Sequence, residues 1–265
     1  MKRTPLLVAG ISLALALTAC SDDSGDSASA TSEDAASTTA SSAAEEAPID
    51  TSQFAALPEV PAGAATVSCA YQPGGPAAKD VTPPAADNVP GQGTVNVDLD
   101  TSAGPIGLEL SRDQAPCTVN SFVNLTEQKY FDDTPCHRLV TSQGLQVLQC
   151  GDPTGSGSGG PGYQYATEYP ETTYAQGDPA LQQPMVYPRG TIAMANTGQP
   201  ESNGSQFFLV YEDSILPPTY TVFGTISEDG LATIEKVAAD GDDGSMPAGG
   251  GTPNTPVQIE TAIVA

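Results

Sequence analysis

The chain has 265 residues, enough for one domain of ordinary size with appendages. Only 15% of residues are charged, and 32 acidic side chains stand against 8 basic ones, for a net charge of −24. A surface of that sign repels phosphate backbones, so nucleic acid is not an expected partner.

The N-terminus reads as an export signal. Lys2 and Arg3 precede an apolar run over 6–17, and Leu17-Thr18-Ala19-Cys20 follows. A basic start, a short apolar core and small residues at a cleavage point make a secretory signal over 1–19. The run is too short to span a bilayer as a helix. Leu-Thr-Ala-Cys resembles the bacterial lipobox, in which the cysteine becomes the lipidated first residue. Cys20 is the expected lipidation site, and the mature chain is expected to be extracytoplasmic, lipid-anchored to the cell membrane. The plainer alternative is a signal peptide with a chance cysteine. Residues 20–62 are dominated by Ser, Ala, Thr, Asp and Glu, with no Lys or Arg between Arg3 and Lys79. Such a composition buries too little apolar surface to offset its ordering entropy, so 20–62 reads as a disordered acidic tether. An extension over 63–93 leads into a folded domain over 94–265.

Four cysteines remain in the mature part: Cys69, Cys117, Cys136 and Cys150. An even number in an exported chain suggests disulfides. Zinc is disfavoured because no CxxC pair exists and the one histidine, His137, abuts Cys136. No metal and no cofactor are expected.

From Thr94 the hydrophobic pattern sharpens. TVNVDLD (94–100) and IGLEL (106–110) alternate apolar and polar residues around a turn at 101–105, which predicts a hairpin. Pro116 opens a helix whose apolar face carries Val119, Phe122 and Val123. Strand-like runs follow at 137–140, 145–150, 191–195, 206–210 and 221–226. A second helix over roughly 230–239 turns Leu231, Ile234 and Val237 inward, and VQIETAIV (257–264) is the last strand. Many short strands with two separated helices predict a mainly β, antiparallel barrel with helices at its ends.

Three motifs fail on inspection. GSGSGG (155–160) satisfies G-x-G-x-x-G, but Pro161 stands where a helix would begin, so a dinucleotide site is not expected. DGDDGS (240–245) lacks the spacing and closing Glu of an EF-hand loop and reads as a solvated acidic turn. No nucleophile elbow surrounds any serine, and a single His limits triad chemistry.

Two stretches remain. CHRLVTSQGLQVLQCGDPTGSGSGGPGY (136–163) joins a His-Arg strand to a Gln-x-Gly-Asp strand and a Gly-rich loop. MANTG…NGSQFFLV (194–210) is followed by YTVFGTI (220–226). Together they resemble the cyclophilins, peptidyl-prolyl cis–trans isomerases, over residues 94–265, and most of all the exported actinobacterial kind. The resemblance implies a closed eight-stranded antiparallel barrel capped by two α-helices. It places the catalytic arginine on Arg138 and a catalytic glutamine on Gln149. It places substrate contacts on Val147, Ala195, Asn196, Gln206, Phe208, Leu216 and Tyr220, with Gly157 and Ser158 in the loop beside the pocket. His137 is expected to point away from the site and to be structural. The implied partners are Pro-containing segments of exported proteins, reached by a monomer tethered to the membrane.

This sequence also departs from the family pattern. The turn TSQGLQV is three residues longer than usual. Gln146 falls where a pocket phenylalanine is expected, and Val147 where a methionine is; Leu145 is a candidate to restore the wall. Ile215 replaces a tryptophan, which implies weak cyclosporin binding, and Tyr220 replaces a histidine. Two functions remain in play: an active isomerase, and a module that binds Pro-peptides without useful turnover. Cys136 begins one strand and Cys150 ends the next, so a hairpin would set them opposite each other. Cys69 and Cys117 then pair by elimination.

Overall fold

A computed structural model describes residues 49–265 of the chain. The expected signal over 1–19, Cys20 and the greater part of the expected tether lie outside the described residues. Of residues 49–62, also assigned to the tether, 49–58 are a correction. Thr51–Gln53 forms a 3-10 turn capped by the Asp50 carboxylate, and β1 (Ala55–Ala56) pairs in parallel with Met185 and Val186. The apolar side chain of Leu57 packs against buried apolar residues, which ties this stretch to the fold.

The extension contributes β2 (Thr66–Val67), β3 (Gln72–Pro73) and β4 (Val89–Pro90). Two long strands follow, β5 (Thr94–Thr101) and β6 (Gly104–Ser111), paired in full as the expected hairpin. Helix α1 (Pro116–Glu127) starts with Pro at its first turn and buries Val119, Phe122 and Leu125. Its N-cap residue, Ala115, has no side chain to cap the free N–H groups. Glu168, far along the chain, supplies the acceptor instead, taking bonds from Cys117 N (3.1 Å) and Thr118 N (2.7 Å). Next come β7 (Thr134–Pro135), β8 (Arg138–Val140), β9 (Gln146–Cys150), β10 (Tyr163–Gln164) and β11 (Met185–Tyr187). They are followed by β12 (Thr191–Met194), β13 (Phe207–Glu212), β14 (Ser214–Leu216) and β15 (Val222–Ile226). Helix α2 (Glu228–Ala239) is capped by the Ser227 hydroxyl, with acids in its first turn and Lys236 in its last, as the helix dipole favours. β16 (Gln258–Val264) ends the fold.

Nine of these strands form one curled antiparallel sheet in the order β7-β16-β5-β6-β15-β12-β13-β9-β8. The fold is mainly β with two helices, as expected. The strand count is nine rather than eight because the stretch 134–140 divides into two short strands at opposite edges, β7 and β8, with Cys136 and His137 between them.

Strand alternation splits the apolar residues into two clusters. On one face Leu99, Leu108, Leu139, Leu148, Ile192 and Leu209 join α1 and α2 in the main core, centred on Phe122, Phe131, Phe207 and Phe223. On the other face Val140, Val147, Phe208, Val210, Ala193 and Val222 form a second cluster with Tyr169, Met185 and Tyr187. Both disulfides are present, Cys69–Cys117 and Cys136–Cys150, with Cα atoms 5.6 Å and 4.0 Å apart.

Candidate functional site

Cross-strand register assembles the site. Arg138 on β8 stands opposite Gln149 on β9, Gln149 opposite Phe208 on β13, and Phe208 opposite Ala193 on β12. Directly opposed residues of antiparallel strands share a face, so this row crosses four strands on the face away from the main core. Residues two positions along, Val140, Val147 and Val210, share that face and make it apolar.

The polar side chains form a chain of hydrogen bonds. The Arg138 Nη1 donates to Gln149 Oε1 at 3.3 Å. Gln149 Nε2 donates to Gln206 Oε1 at 3.0 Å. Gln206 Nε2 donates to the carbonyls of Gly157 and Gly159, both at 3.0 Å. The Gly-rich loop is itself folded around Asp152, whose carboxylate accepts from Thr154 N, Thr154 Oγ1 and Gly159 N. Burial pushes the Asp152 carboxyl up, but the bonds from Gly159 and Thr154 outweigh it and hold it below the usual range. A Cβ at Gly159 would lie 2.0 Å from Asp152 Oδ1, so only glycine permits this wrap.

Arg138 is held from its other side as well. Its Nε donates to Gly249 O at 3.1 Å and its Nη2 to Ala248 O at 3.0 Å. The acidic turn at 240–245 builds the loop that carries these carbonyls, with Asp243 Oδ1 accepting from Ser245 N and Thr252 N. Burial lowers the guanidinium pKa, opposed by Tyr220 and Asp242, yet an arginine stays cationic across any working pH.

The expected residues divide between two adjoining regions. Val147, Phe208, Ala195, Leu216 and Tyr220 belong to the second apolar cluster, and the Tyr220 ring meets Phe208 edge-to-face at 5.6 Å between centroids. Gln149, Gln206, Asn196, Ala195, Gly157 and Ser158 line a polar cleft of about 470 Å³ next to it. The Asn196 side chain is committed internally, donating to Thr219 O at 2.8 Å and accepting from Gly198 N at 2.9 Å.

Gln146 does not stand where the alignment of motifs put it. It directly precedes Val147 on β9, so alternation turns it to the opposite side of the strand, and its backbone N–H donates to Ser214 Oγ at 2.9 Å. The apolar face therefore does not contain it. Val147 takes the place, and Leu145 packs against the same cluster. The longer turn docks on the rim, where Ile215 N donates to Gly144 O at 2.8 Å. His137 is 5% exposed, with neither ring nitrogen bonded, and lies against Gly157. It has no place in the row, in keeping with a structural role.

Sequence reasoning missed the clamp at Ala248 and Gly249. The run AGGG (248–251) announces a turn but not its target, more than a hundred residues away. It also missed Leu57, Tyr169, Met185 and Tyr187 beneath the apolar face.

Comparison with known proteins fits this geometry. Residues 96–264 match the family model described as cyclophilin type peptidyl-prolyl cis-trans isomerase/CLD. The chain is 56% identical over 199 residues to a probable peptidyl-prolyl cis-trans isomerase B of Mycobacterium leprae, covering 74% of this chain and 66% of that protein. The namesake from Mycobacterium tuberculosis is 52% identical over 201 residues, covering 74% of this chain and 64% of that protein. The chain thus spans just under two thirds of these two relatives' length. Peptidyl-prolyl cis-trans isomerase A of M. tuberculosis is 34% identical over 192 residues and is covered to 93%. Among solved structures, a cyclophilin type peptidyl-prolyl cis-trans isomerase of Cryptosporidium parvum superposes with a TM-score of 0.52 at 28% identity, covering 65% of this chain and 98% of that one.

Proposed function

This chain belongs to the cyclophilin-type peptidyl-prolyl cis–trans isomerases, and from that membership we propose that it catalyses rotation about Xaa-Pro bonds in exported proteins. Rotation about an amide faces a barrier of about 18–20 kcal/mol, because resonance gives the C–N bond double-bond character. Xaa-Pro bonds populate both isomers but exchange in tens to hundreds of seconds. No covalent bond is broken, so the catalyst needs no nucleophile or general acid. It must hold the proline ring, steady the peptide on one side, and stabilise the twisted amide, in which the nitrogen regains its lone pair.

The residues divide that work. Phe208, Val147, Leu216 and Tyr220 take the proline ring. Gln149, Gln206 and the backbone at Ala195 and Asn196 hold the flanking peptide, with Gly157 and Ser158 beside it. Arg138 acts on the rotating bond. A guanidinium has five N–H groups; three are committed to Gln149, Gly249 and Ala248, which leaves two, one on each Nη. A fixed cation with donors to spare, beside an apolar patch, favours the twisted amide without reorganising.

The observation that carries this reading is the row Arg138–Gln149–Phe208, fixed by strand register. A module that only binds Pro-peptides would need the patch and the cleft but not a cation held by three hydrogen bonds. A protease-coupled isomerase assay on an Xaa-Pro peptide tests it. Arg138→Ala is expected to lower kcat/KM by roughly a hundredfold with an unchanged melting curve, and Arg138→Lys to restore only part of the loss. Full activity in Arg138→Ala overturns the mechanism; an inactive parent overturns the function.

We also read the protein as a lipid-anchored monomer at the outer face of the cell membrane. The support is the sequence at 17–20, together with two disulfides, which persist in oxidising compartments. Cys20→Ser should release it from the membrane fraction into the medium. The segment 134–140, taken as one strand, closes the sheet as an eight-stranded barrel in this reading.

A further inference from the structure

The polar cleft has a wall that the family match does not include. Gly74, Gly75 and Pro76 line it together with Gln149, Asn196 and Gln206, yet they precede residue 96, where the match begins. We propose that residues 69–78 form part of the substrate site, and that Gly75 and Pro76 make the protein select peptides with a long, uncharged, polar side chain flanking the Xaa-Pro pair. The inference rests on the reading that this cleft holds the flanking part of a Pro-peptide.

The wall is built rather than draped. Its near end is fixed to α1 by Cys69–Cys117, and Tyr71 OH donates to Cys117 O at 2.8 Å while accepting from Asn120 Nδ2 at 3.0 Å. The Tyr71 ring sits edge-to-face on Tyr163 and Tyr165, at 5.7 and 5.6 Å. Its middle is a strand: β3 pairs with β10, Gly74 N donates to Gly162 O at 2.9 Å, and Ala78 N donates to Gly160 O at 2.8 Å. Its far end is held by Lys79, whose ammonium bonds the carbonyls of Tyr130 and Asp132. The Gly-rich loop is therefore gripped on both sides, by the extension through Gly160 and Gly162 and by Gln206 through Gly157 and Gly159. The same extension that shapes the cleft thus steadies the loop on which the Gln206–Gln149–Arg138 chain ends.

The chemistry of the lining sets the preference. It offers serine hydroxyls, amide groups and glycine backbone beside the carbon surface of Pro76, Pro161 and Ala195, and no charged side chain. A flanking Asp or Glu would meet no cation there, inside a protein of net charge −24. A methyl group fills little of a cleft of about 470 Å³, whereas an extended amide spans it, resting its methylenes on the carbon surface and its polar end on the exposed backbone.

Gly75 makes the test clean. A Cβ there meets nothing within 4 Å and its backbone is not left-handed, so Gly75→Leu folds and adds bulk at the wall. Binding of two labelled Xaa-Pro peptides, one with Gln and one with Ala on either side of the pair, is measured by fluorescence anisotropy, which needs no turnover. The parent is expected to prefer the Gln peptide, and Gly75→Leu to cut that preference by about tenfold. Cys69→Ala combined with Cys117→Ala should lower it in the same direction by less. A preference unchanged within about twofold in Gly75→Leu, or absent from the parent, overturns the proposal. Isomerase activity of the parent is assayed separately. Turnover without the preference refutes this inference and spares the proposed activity; the preference without turnover does the reverse.

Discussion

Arg138 and His137 are neighbours in sequence with opposite electrostatic fates. Arg138 keeps its charge, so kcat/KM is expected to be flat between about pH 6 and pH 9, measured at constant ionic strength. Burial depresses the His137 pKa below its usual value, outweighing the opposing pull of Asp152. Above about pH 6.5 the ring is neutral both folded and unfolded; as pH falls, the unfolded chain takes up a proton that the folded one resists. Stability should therefore drop from about pH 6.5 downward, and His137→Phe should flatten the decline in a series of urea melts. Glu168, whose carboxyl burial holds above its ordinary value, contributes with the opposite sign, but it is the same in both proteins and cancels in the comparison. At this scale the motif resemblance was informative about placement: it names Arg138, Gln149 and Phe208, which strand register sets in one row. The fate of Gln146 was missed because it was placed by counting along the motif, whereas alternation on β9, with Val147 and Gln149 on the site face, turns it away.

Among the elements, the hairpin β5–β6, both helices and the strands carrying the site could be read from periodicity. What could not be read is long-range contact between irregular segments. The loop 246–251 is the clearest case. Gly250 has a φ of 70°, and a Cβ there would lie 2.1 Å from Leu139 O, so the chain can pass β8 this closely only with glycine. Gly250→Ala is expected to cost about 1–3 kcal/mol and to withdraw the carbonyls that hold Arg138. The signature is a fall in kcat/KM of about ten- to a hundredfold carried mainly by kcat, since the apolar patch proposed to take the proline ring is untouched. The extension gives a second case at this scale. Cys69–Cys117 closes a loop of 48 residues, for which chain entropy predicts about 4 kcal/mol. The paired Cys69→Ala and Cys117→Ala variant should lose about 2–4 kcal/mol in denaturant titrations with its α1 and sheet signals intact.

Over the molecule as a whole, the chain before the family match participates in the fold. Residues 49–58 add β1 to β11, pack Leu57 beneath the apolar face, and accept a 2.6 Å bond from Tyr169 OH at Pro58 O. Their composition hid this, since two or three apolar residues after a long polar run do not shift an average. A chain starting at residue 63 should be about 2–3 kcal/mol less stable and should show a raised KM, because β11 supports β14 and with it Leu216. A protein proposed to handle unfolded segments also meets a hazard of its own, since such segments seek any open run of backbone donors and acceptors to pair with. The nine-stranded sheet ends in β7, two residues long, and β8, three residues long, and the outer side of β8 is occupied by Gly251, which exchanges both backbone bonds with Leu139. At the two edges of this sheet, a client held in the proposed way would meet only short or already paired strands, poor templates on which to nucleate an aggregate.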